Sequence, residues 1–114
     1  MLDAERLEVY KLALDFQLLS GSLARRASAT LRNQLERASV SIVLNIAEGA
    51  GRRSAADKAR FYSIARGSAT ECAAIMDLLR QRGLSAEACR TGRHQIVRIV
   101  QMLSKLELST IARG

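Results

Sequence analysis

The sequence predicts an all-α protein whose single domain, residues 1–114, is an antiparallel up-down-up-down four-helix bundle. Hydrophobic residues make up 48% of the chain, whereas aromatic residues make up only 4% and proline is absent. Such a composition, rich in alanine, leucine and arginine, is typical of closely packed helices. Apolar residues also recur at helical spacing in four segments separated by short turns, which is the pattern of a bundle. We expect helices roughly over residues 3–26, 30–48, 54–82 and 85–108.

Helix one begins after Asp3, a residue type that favours the N-cap position. Two adjoining apolar stripes follow, one formed by Leu7, Tyr10 and Leu14 and the other by Leu12, Phe16 and Leu19. Gly21 and Ser22 then interrupt the pattern. The helix therefore ends near Ser20 or continues with a bend to about Arg26.

Helix two begins after Ser28 or Thr30 and is apolar on two opposite sides. Its core face consists of Leu31, Leu35, Ala38, Ile42 and Ile46. The opposite side carries Val40, Leu44 and Ala47. A helix of a small monomeric bundle needs only one apolar face, so the sequence predicts that another subunit covers these three residues. Gly49 then offers the left-handed conformation that ends helices at low cost.

A line of polar residues separates the two apolar faces of helix two and consists of Gln34, Ser41, Asn45 and Glu48. Because unpaired polar groups beside a core cost about 1 to 3 kcal/mol each, we expect them to meet Ser68 and Glu71 of helix three. We predict that Arg37 or Arg32 pairs with a buried Glu71, with a further bond through Gln34. This seam is interpreted as a structural polar network, and an acid-base site built from Asn45, Glu48, Ser68 and Glu71 is the alternative.

Helix three begins at Ser54, which forms a variant of the capping box with Asp57. Its core stripe consists of Phe61, Ile64, Ala65, Ser68, Cys72, Ile75, Met76 and Leu79. The preceding turn, residues 49–54, is rich in glycine and carries Arg52 and Arg53 beside the positive end of the helix. It is interpreted either as a plain interhelical turn or as a phosphate cradle, and it lacks the ending of a P-loop.

Gly83 ends helix three and Ser85 caps helix four. The core stripe of helix four consists of Cys89, Ile96, Ile99, Val100 and Leu103. Its other side carries Arg90, His94, Arg98 and Lys105, a basic face that is either solvated surface or a phosphate-binding surface. We expect residues 109–114 to be frayed.

The chain is strongly basic, with 18 Lys and Arg against 11 Asp and Glu and a net charge of +7. An excess of this size on a small domain favours polyanionic partners. The few aromatic residues offer little surface on which bases could stack, so phosphate contacts are favoured over recognition of bases. The candidate contacts to RNA or DNA phosphates are Arg52, Arg53, Arg90, Arg98 and Lys105.

The sequence argues against an enzyme and predicts no metal or cofactor. The Glu-x-x-His pairs of di-iron bundles are missing, and the single histidine, His94, lies on the outer side of its helix. Cys72 and Cys89 lie at core positions of different helices and are interpreted as buried reduced thiols rather than a disulfide. With neither a membrane span nor a basic secretory leader, we expect a cytoplasmic protein.

Several short motifs of this chain occur together in one known family. They are Ser41-Ile42, Asn45-Ile46-Ala47-Glu48-Gly49, Arg52 or Arg53, Phe61, Ile64-Ala65, Gly67-Ser68 and Glu71. As a set they resemble the bacterial four-helix bundle proteins, also called rRNA intervening-sequence proteins. That family often has proline at the position of Val43.

This resemblance implies a cytosolic bundle that assembles as a homopentameric ring. Some relatives are encoded within intervening sequences of large-subunit rRNA genes, and more distant relatives accompany diversity-generating reverse transcriptases and bind nucleic acid. The resemblance implies no enzymatic activity and supplies no binding residues.

The function hypothesis is a non-enzymatic homo-oligomer that binds RNA or DNA phosphates weakly and without strong sequence preference. The alternative is a protein-interaction scaffold with no nucleic-acid role, whose basic surface serves solubility. An enzyme that used the polar seam would need a solvent-accessible cleft there.

Overall fold

The chain folds into four antiparallel α-helices joined by short turns. The computed structural model describes residues 2–114, except for the side chain of Leu2. The helices span Leu2–Ala24 (α1), Ala29–Gly51 (α2), Ala55–Gln81 (α3) and Ala86–Arg113 (α4). Each helix packs against its neighbours in the chain, and α1 packs against α4 to close a bundle 46 Å long. The predicted up-down-up-down bundle is confirmed. None of these four helices is long and apolar enough to cross a bilayer.

Serine residues are the N-caps of three of the helices. The Oγ of Ser28 accepts a hydrogen bond from the amide of Leu31 at 3.3 Å, which selects Ser28 over Thr30 as the cap of α2. Ser54 and Ser85 cap α3 and α4 in the same way. Each cap satisfies an amide that has no partner inside its helix, so local sequence fixes where these helices begin.

Gly83 determines the end of α3. Its φ of +87° lies in the left-handed region that favours glycine. The chain then turns so that the amide of Leu84 donates to the carbonyl oxygen of Leu79 at 3.1 Å. This is the geometry of a Schellman motif, and it directs α4 back along α3.

One continuous core runs along the bundle, and α1 contributes a stripe that differs from both expected ones. Its buried residues are Val9, Ala13, Phe16, Ser20 and Ala24. Leu7 and Leu14 are 46% and 43% exposed, so the stripe that contains them faces solvent. Leucines occupy most sides of α1, and hydrophobicity alone therefore does not select one face. The stripe that packs contains the small residues Ala13 and Ser20, which allow neighbouring helices to approach closely.

The core face of α3 differs from the predicted stripe in the first half of the helix. Tyr62 and Ala69 are buried, whereas Ile64 is 42% exposed and Phe61 is only partly buried. The prediction that Phe61 and Ile64 belong to the core is therefore wrong. Tyr62 lies against Gly49 of α2, and contacts with both α2 and α4 give α3 a wide buried arc.

Gly49 does not end α2, contrary to the prediction. It lies inside the helix, which continues to Gly51, and it is buried. A Cβ atom at position 49 would lie 2.8 Å from Cε1 of Tyr62 and 3.2 Å from the carbonyl oxygen of Lys58. Glycine is needed here because α3 approaches the backbone of α2 too closely for any side chain, not because the backbone is left-handed.

The C-terminal segment is helical, although residues 109–114 were expected to fray. Helix α4 continues to Arg113, and Leu106 and Thr110 are buried. These two residues extend the core spacing of Ile99 and Leu103 by two further turns. Tertiary packing therefore holds the segment in place.

The two cysteines are free thiols, and both are buried. Burial raises the pKa of Cys72 to about 12 and also raises that of Cys89. Both thiols therefore stay protonated near neutral pH and behave as small apolar core residues.

Candidate functional site

The predicted polar seam lies along the contact between α2 and α3. The Oγ atoms of Ser41 and Ser68 are hydrogen bonded at 2.8 Å. One turn away, Nη2 of Arg37 donates to Oε2 of Glu71 at 2.8 Å. The structure therefore brings four of the seven predicted network residues together in two contacts between helices.

Two further members of the seam make their bonds within α2. Nδ2 of Asn45 donates to the carbonyl oxygen of Ser41 at 2.9 Å and to its Oγ at 3.0 Å. Glu48 accepts from Nη2 of Arg52 at 2.9 Å. Asn45 thus extends the serine contact, while Glu48 forms an ordinary surface pair one helical turn apart.

The environment of Glu71 differs from the prediction. Its side chain is 39% exposed and that of Arg37 is 65% exposed, so Glu71 is not buried. Gln34 is exposed, and Arg32 donates to the carbonyl oxygen of Ala27 at 3.4 Å instead of to Glu71. The pair lies at the outer edge of the contact between α2 and α3, where water solvates both charges. An ion pair in such a position contributes about 0 to 1 kcal/mol.

The outward side of α2 is apolar. Leu44 is 60% exposed, Ala47 is exposed and Val40 is partly buried. The neighbouring helix α1 presents a second apolar stripe formed by Leu7, Leu14 and Leu18, which are 46%, 43% and 75% exposed. Leu7 and Leu14 were expected in the core from their helical spacing, so the outward position of this second stripe was not predicted. Exposed apolar residues grouped on adjacent helices are typical of interaction surfaces.

The five predicted phosphate contacts lie in three separate regions. Arg52 and Arg53 follow the end of α2, Arg98 and Lys105 lie on α4 beside α1, and Arg90 lies near the turn between α3 and α4. Helix α3 has 27 residues and is therefore about 40 Å long at 1.5 Å per residue. The two ends of the bundle are too far apart for Arg53 and Arg90 to contact the same phosphate.

Internal contacts occupy the turn between α2 and α3. The guanidinium of Arg52 lies over the ring of Phe61, 4.6 Å from its centroid, in addition to its pair with Glu48. Nζ of Lys58 donates to the carbonyl oxygen of Ala50 at 3.0 Å and covers the negative end of α2. These contacts favour a plain interhelical turn over a phosphate cradle.

Carboxylates neutralise the basic residues between α1 and α4. Nη2 of Arg98 is 3.1 Å from Oε1 of Glu8. Lys105 lines the same groove together with Glu5 and Glu8. Two cations therefore face two carboxylates, which weakens the attraction of this groove for phosphates.

The end of the bundle that contains the first and third turns, called the basic end below, carries slightly more than half of the net charge of the chain. A depression of about 660 Å³ between these turns is lined by residues that include Arg25, Arg26 and Gly83. Residues 20–38 and 71–94, which form this end, contain eight arginines and four carboxylates, so they carry +4 of the net charge of +7. The arginines are Arg25, Arg26, Arg32, Arg37, Arg80, Arg82, Arg90 and Arg93, and the carboxylates are Glu36, Glu71, Asp77 and Glu87.

Of the five phosphate contacts predicted from the sequence, only Arg90 lies at this basic end, and Arg32 and Arg37 were predicted only as partners of Glu71. The other arginines are distributed over three helices and two turns, so no single segment stands out. Once the up-and-down topology is predicted, turns one and three must lie at the same end. The summed charge of the residues at that end could therefore have indicated this surface from the sequence.

Groups that bind metals or act as nucleophiles are not gathered at these surfaces. In the part of the chain from residue 2 to 114, no three His, Cys, Asp or Glu residues are close enough to hold a metal ion. His94 is exposed on α4, and both cysteines are buried.

Comparison with known proteins establishes the family. The sequence profile of the 23S rRNA-intervening sequence proteins matches residues 5–105 of the 114. The chain belongs to this family. The match includes α2 and α3 completely and most of α1 and α4, so it extends well beyond the motifs of α2 and α3. No curated protein matches the chain.

The crystal structure of another protein has the same fold as this chain. It is described as a protein with unknown function from the S23 ribosomal protein family of Bacteroides thetaiotaomicron VPI-5482. The two structures superpose with a TM-score of 0.82 at 22% sequence identity, over 90% of this chain and 97% of the other. At this identity the likeness concerns the fold alone.

Proposed function

We propose that the protein is a non-enzymatic, cytoplasmic homo-oligomer that binds the phosphates of RNA or DNA at the basic end of its bundle. The carrying observation is the concentration of eight arginines against four carboxylates at that end. Two of those arginines are paired, Arg37 with Glu71 and Arg93 with Asp77. Arg25, Arg26 and Arg82 lie in or beside the turns and are exposed.

Phosphate binding by such a surface is weak and nonspecific. Guanidinium groups on turns contact the nucleic-acid backbone, which has the same charge whatever the sequence. The two turns offer no helix or strand shaped to enter a groove, so little discrimination between sequences follows. RNA and DNA should therefore bind with comparable affinity.

Self-association is the second part of the proposal. Val40, Leu44 and Ala47 on α2 form one interface, and the outward leucines of α1 form a different patch. Contacts between two different patches generate rings when the rotation between subunits closes. Five subunits is the number implied by the family resemblance. A ring would repeat the basic end around its axis and strengthen weak binding by avidity.

The non-enzymatic part of the proposal is supported by the polar seam. Ser41 and Ser68 are bonded to each other, and the charged groups of Glu48 and Glu71 are paired with arginines. A general acid or base must face the substrate atom that it protonates or deprotonates, whereas the two serines bond to each other and the two carboxylates bond to arginines.

The binding site is tested by fluorescence anisotropy with a labelled 20-nucleotide RNA at low salt. The double variant Arg25→Ala/Arg26→Ala should lose affinity on the order of tenfold, because two phosphate contacts disappear. The matched control, Arg53→Ala/Lys105→Ala, removes the same charge elsewhere and should change affinity much less. If both variants lose the same affinity, binding depends on the total charge of the protein, and a site at the basic end is refuted.

Self-association is tested with Leu44→Asp. A charge in the outward patch should dissociate the subunits and leave the helices intact, because position 44 is 60% exposed in a single subunit. Light scattering should give 12.5 kDa for the variant and a multiple of that mass for the parent protein. The same 12.5 kDa mass for the parent protein would remove the proposed interface.

The alternative, a protein-interaction scaffold, is favoured by the exposed leucines of α1. Purification at low salt distinguishes the two functions. A stoichiometric protein partner that resists nuclease treatment and high salt would support the scaffold. Co-purified material that nuclease or salt removes would support phosphate binding.

A further inference from the structure

A second cavity lies in the groove between α3 and α4, within the basic end. Its volume is about 240 Å³. That size is slightly below the range of about 300 to 1,000 Å³ typical of sites for drug-sized ligands. The cavity therefore suits a small molecule rather than a peptide segment.

The walls of this cavity combine an apolar floor with a cationic rim. Met76 and Cys89 form the floor and are each 1% exposed, and Val97 lies at the mouth, 42% exposed. The sulfur of Met76 lies on the core side, close to Gly92, so Val97 supplies apolar surface that a ligand can reach at the mouth. Burial of a flat aromatic ring against such aliphatic surface is favourable. This apolar surface therefore favours a ring system over a hydrated ion.

The rim is positive because its carboxylate is already neutralised. Asp77 accepts from Nε of Arg93 at 3.0 Å and from Nη2 at 3.5 Å. Arg80, Arg90 and the imidazole of His94 complete the rim. Guanidinium groups bind phosphate in a bidentate fashion, and both imidazole and guanidinium planes stack on bases.

We propose that this cavity binds one nucleotide, with its base against Val97 above the buried floor of Met76 and Cys89 and its phosphate on Arg80 and Arg90. The nucleotide is either a free nucleoside monophosphate or one unstacked unit of a bound strand. The second case, one unit of a bound strand, rests on the proposed function, because the adjacent arginines would hold the rest of the strand. A simple anion would leave the apolar surface unused, and an uncharged ring would leave the cationic rim unused.

The test uses the full chain with ¹³C-methyl methionine. Met76 lies on the floor, whereas Met102 lies in the groove between α1 and α4 and serves as an internal control. Adenosine 5′-monophosphate should shift the Met76 methyl resonance in a saturable manner. Adenosine and ribose 5-phosphate, each lacking one half of the ligand, should bind at least about tenfold more weakly, since stacking and phosphate contact each contribute on that scale.

Titrations with a short oligonucleotide and its abasic counterpart distinguish the two sources of the nucleotide. A Met76 shift with the oligonucleotide that is lost with the abasic strand identifies a unit of a strand. A Met76 shift with the monophosphate alone identifies a free nucleotide and leaves the cavity site standing even if no strand binds. Strand binding in anisotropy with no Met76 shift by any probe overturns the nucleotide site and leaves the proposed function intact. No binding of any probe overturns both.

Two variants on α4 provide a matched control. Val97→Phe places a ring in the mouth of the cavity and should weaken the Met76 response at least about tenfold. Leu108→Phe adds the same ring to the same helix at a position that is 71% exposed, and it should leave the response unchanged. An unchanged response in Val97→Phe would also contradict the assignment.

Discussion

The close contact at Gly49 leads to a prediction opposite in sign to the usual effect of its substitution. Replacing a glycine inside a helix with alanine normally stabilises a protein by about 0.5 to 1 kcal/mol. At position 49 the added methyl group would meet Tyr62 at 2.8 and 3.1 Å and the carbonyl oxygen of Lys58 at 3.2 Å. Tyr62 is 3% exposed, and the carbonyl belongs to the backbone of α3, so neither can move away freely. Overpacking of this kind costs about 1 to 3 kcal/mol.

We therefore expect Gly49→Ala to destabilise the fold by about 1 kcal/mol, because the gain of about 0.5 to 1 kcal/mol in helix propensity offsets part of the overpacking cost of about 1 to 3 kcal/mol. Gly67→Ala is the control, because a Cβ at Gly67 in α3 meets nothing within 4 Å. It should stabilise by about 0.5 to 1 kcal/mol. The free energy of unfolding of both variants is measured by urea denaturation, monitored by circular dichroism at one protein concentration. If the two alanine variants are equally stable, the close approach of α3 to Gly49 is refuted.

Further predictions concern the ion pairs and the cysteines. Glu107, 15% exposed, accepts from Arg66 at 2.6 and 3.3 Å, so Glu107→Gln should lower the free energy of unfolding by about 1 to 2 kcal/mol. Glu71→Gln breaks a more exposed pair and should cost less than about 1 kcal/mol in the same urea assay; equal costs would contradict this ranking. With the pKa of Cys72 raised to about 12, about one thiol in ten thousand is ionised at pH 8. Ellman's reagent should therefore leave Cys72 unmodified in the native protein and detect two thiols after unfolding, whereas rapid modification of both native thiols would show that the core opens readily.

The features that could be predicted from the sequence are those fixed by local chemistry. Ser54 and Ser85 mark helix starts, and Gly83 marks a helix end, because each forms bonds with residues only a few positions away. The apolar face of α2 could also be predicted, since polar residues separate Ile42 and Ile46 from Leu44. These signals were sufficient for the helix order and the bundle.

The features that could not be predicted depend on contacts between distant segments. Gly49 has the residue type of a helix end, and only the position of Tyr62 reveals that it permits close packing. Leucines lie on most sides of α1, so Val9 and Phe16 can be recognised as core residues only when the positions of the neighbouring helices are known. The C-terminal segment around Thr110 is helical because it packs against the core, and local helix propensity does not reveal that packing.

The candidate site illustrates the same division. The contact between Arg37 and Glu71 followed from the antiparallel register of α2 and α3, but its exposure did not. Single residues on a basic helix face suggested Arg98 and Lys105, and the structure places Glu5 and Glu8 beside them. The basic end emerged only when two turns far apart in sequence, near Arg26 and Arg82, were placed together.

The salt dependence of RNA binding tests the central claim, that the basic end binds phosphates, most directly. The logarithm of the association constant of a 20-nucleotide RNA should fall linearly with the logarithm of salt concentration, by about 0.7 per phosphate neutralised. The slope for Arg25→Ala/Arg26→Ala should be shallower by about 1.4, because two phosphates lose their partners. An affinity that does not change with salt, or a slope that is the same in both proteins, would contradict the account.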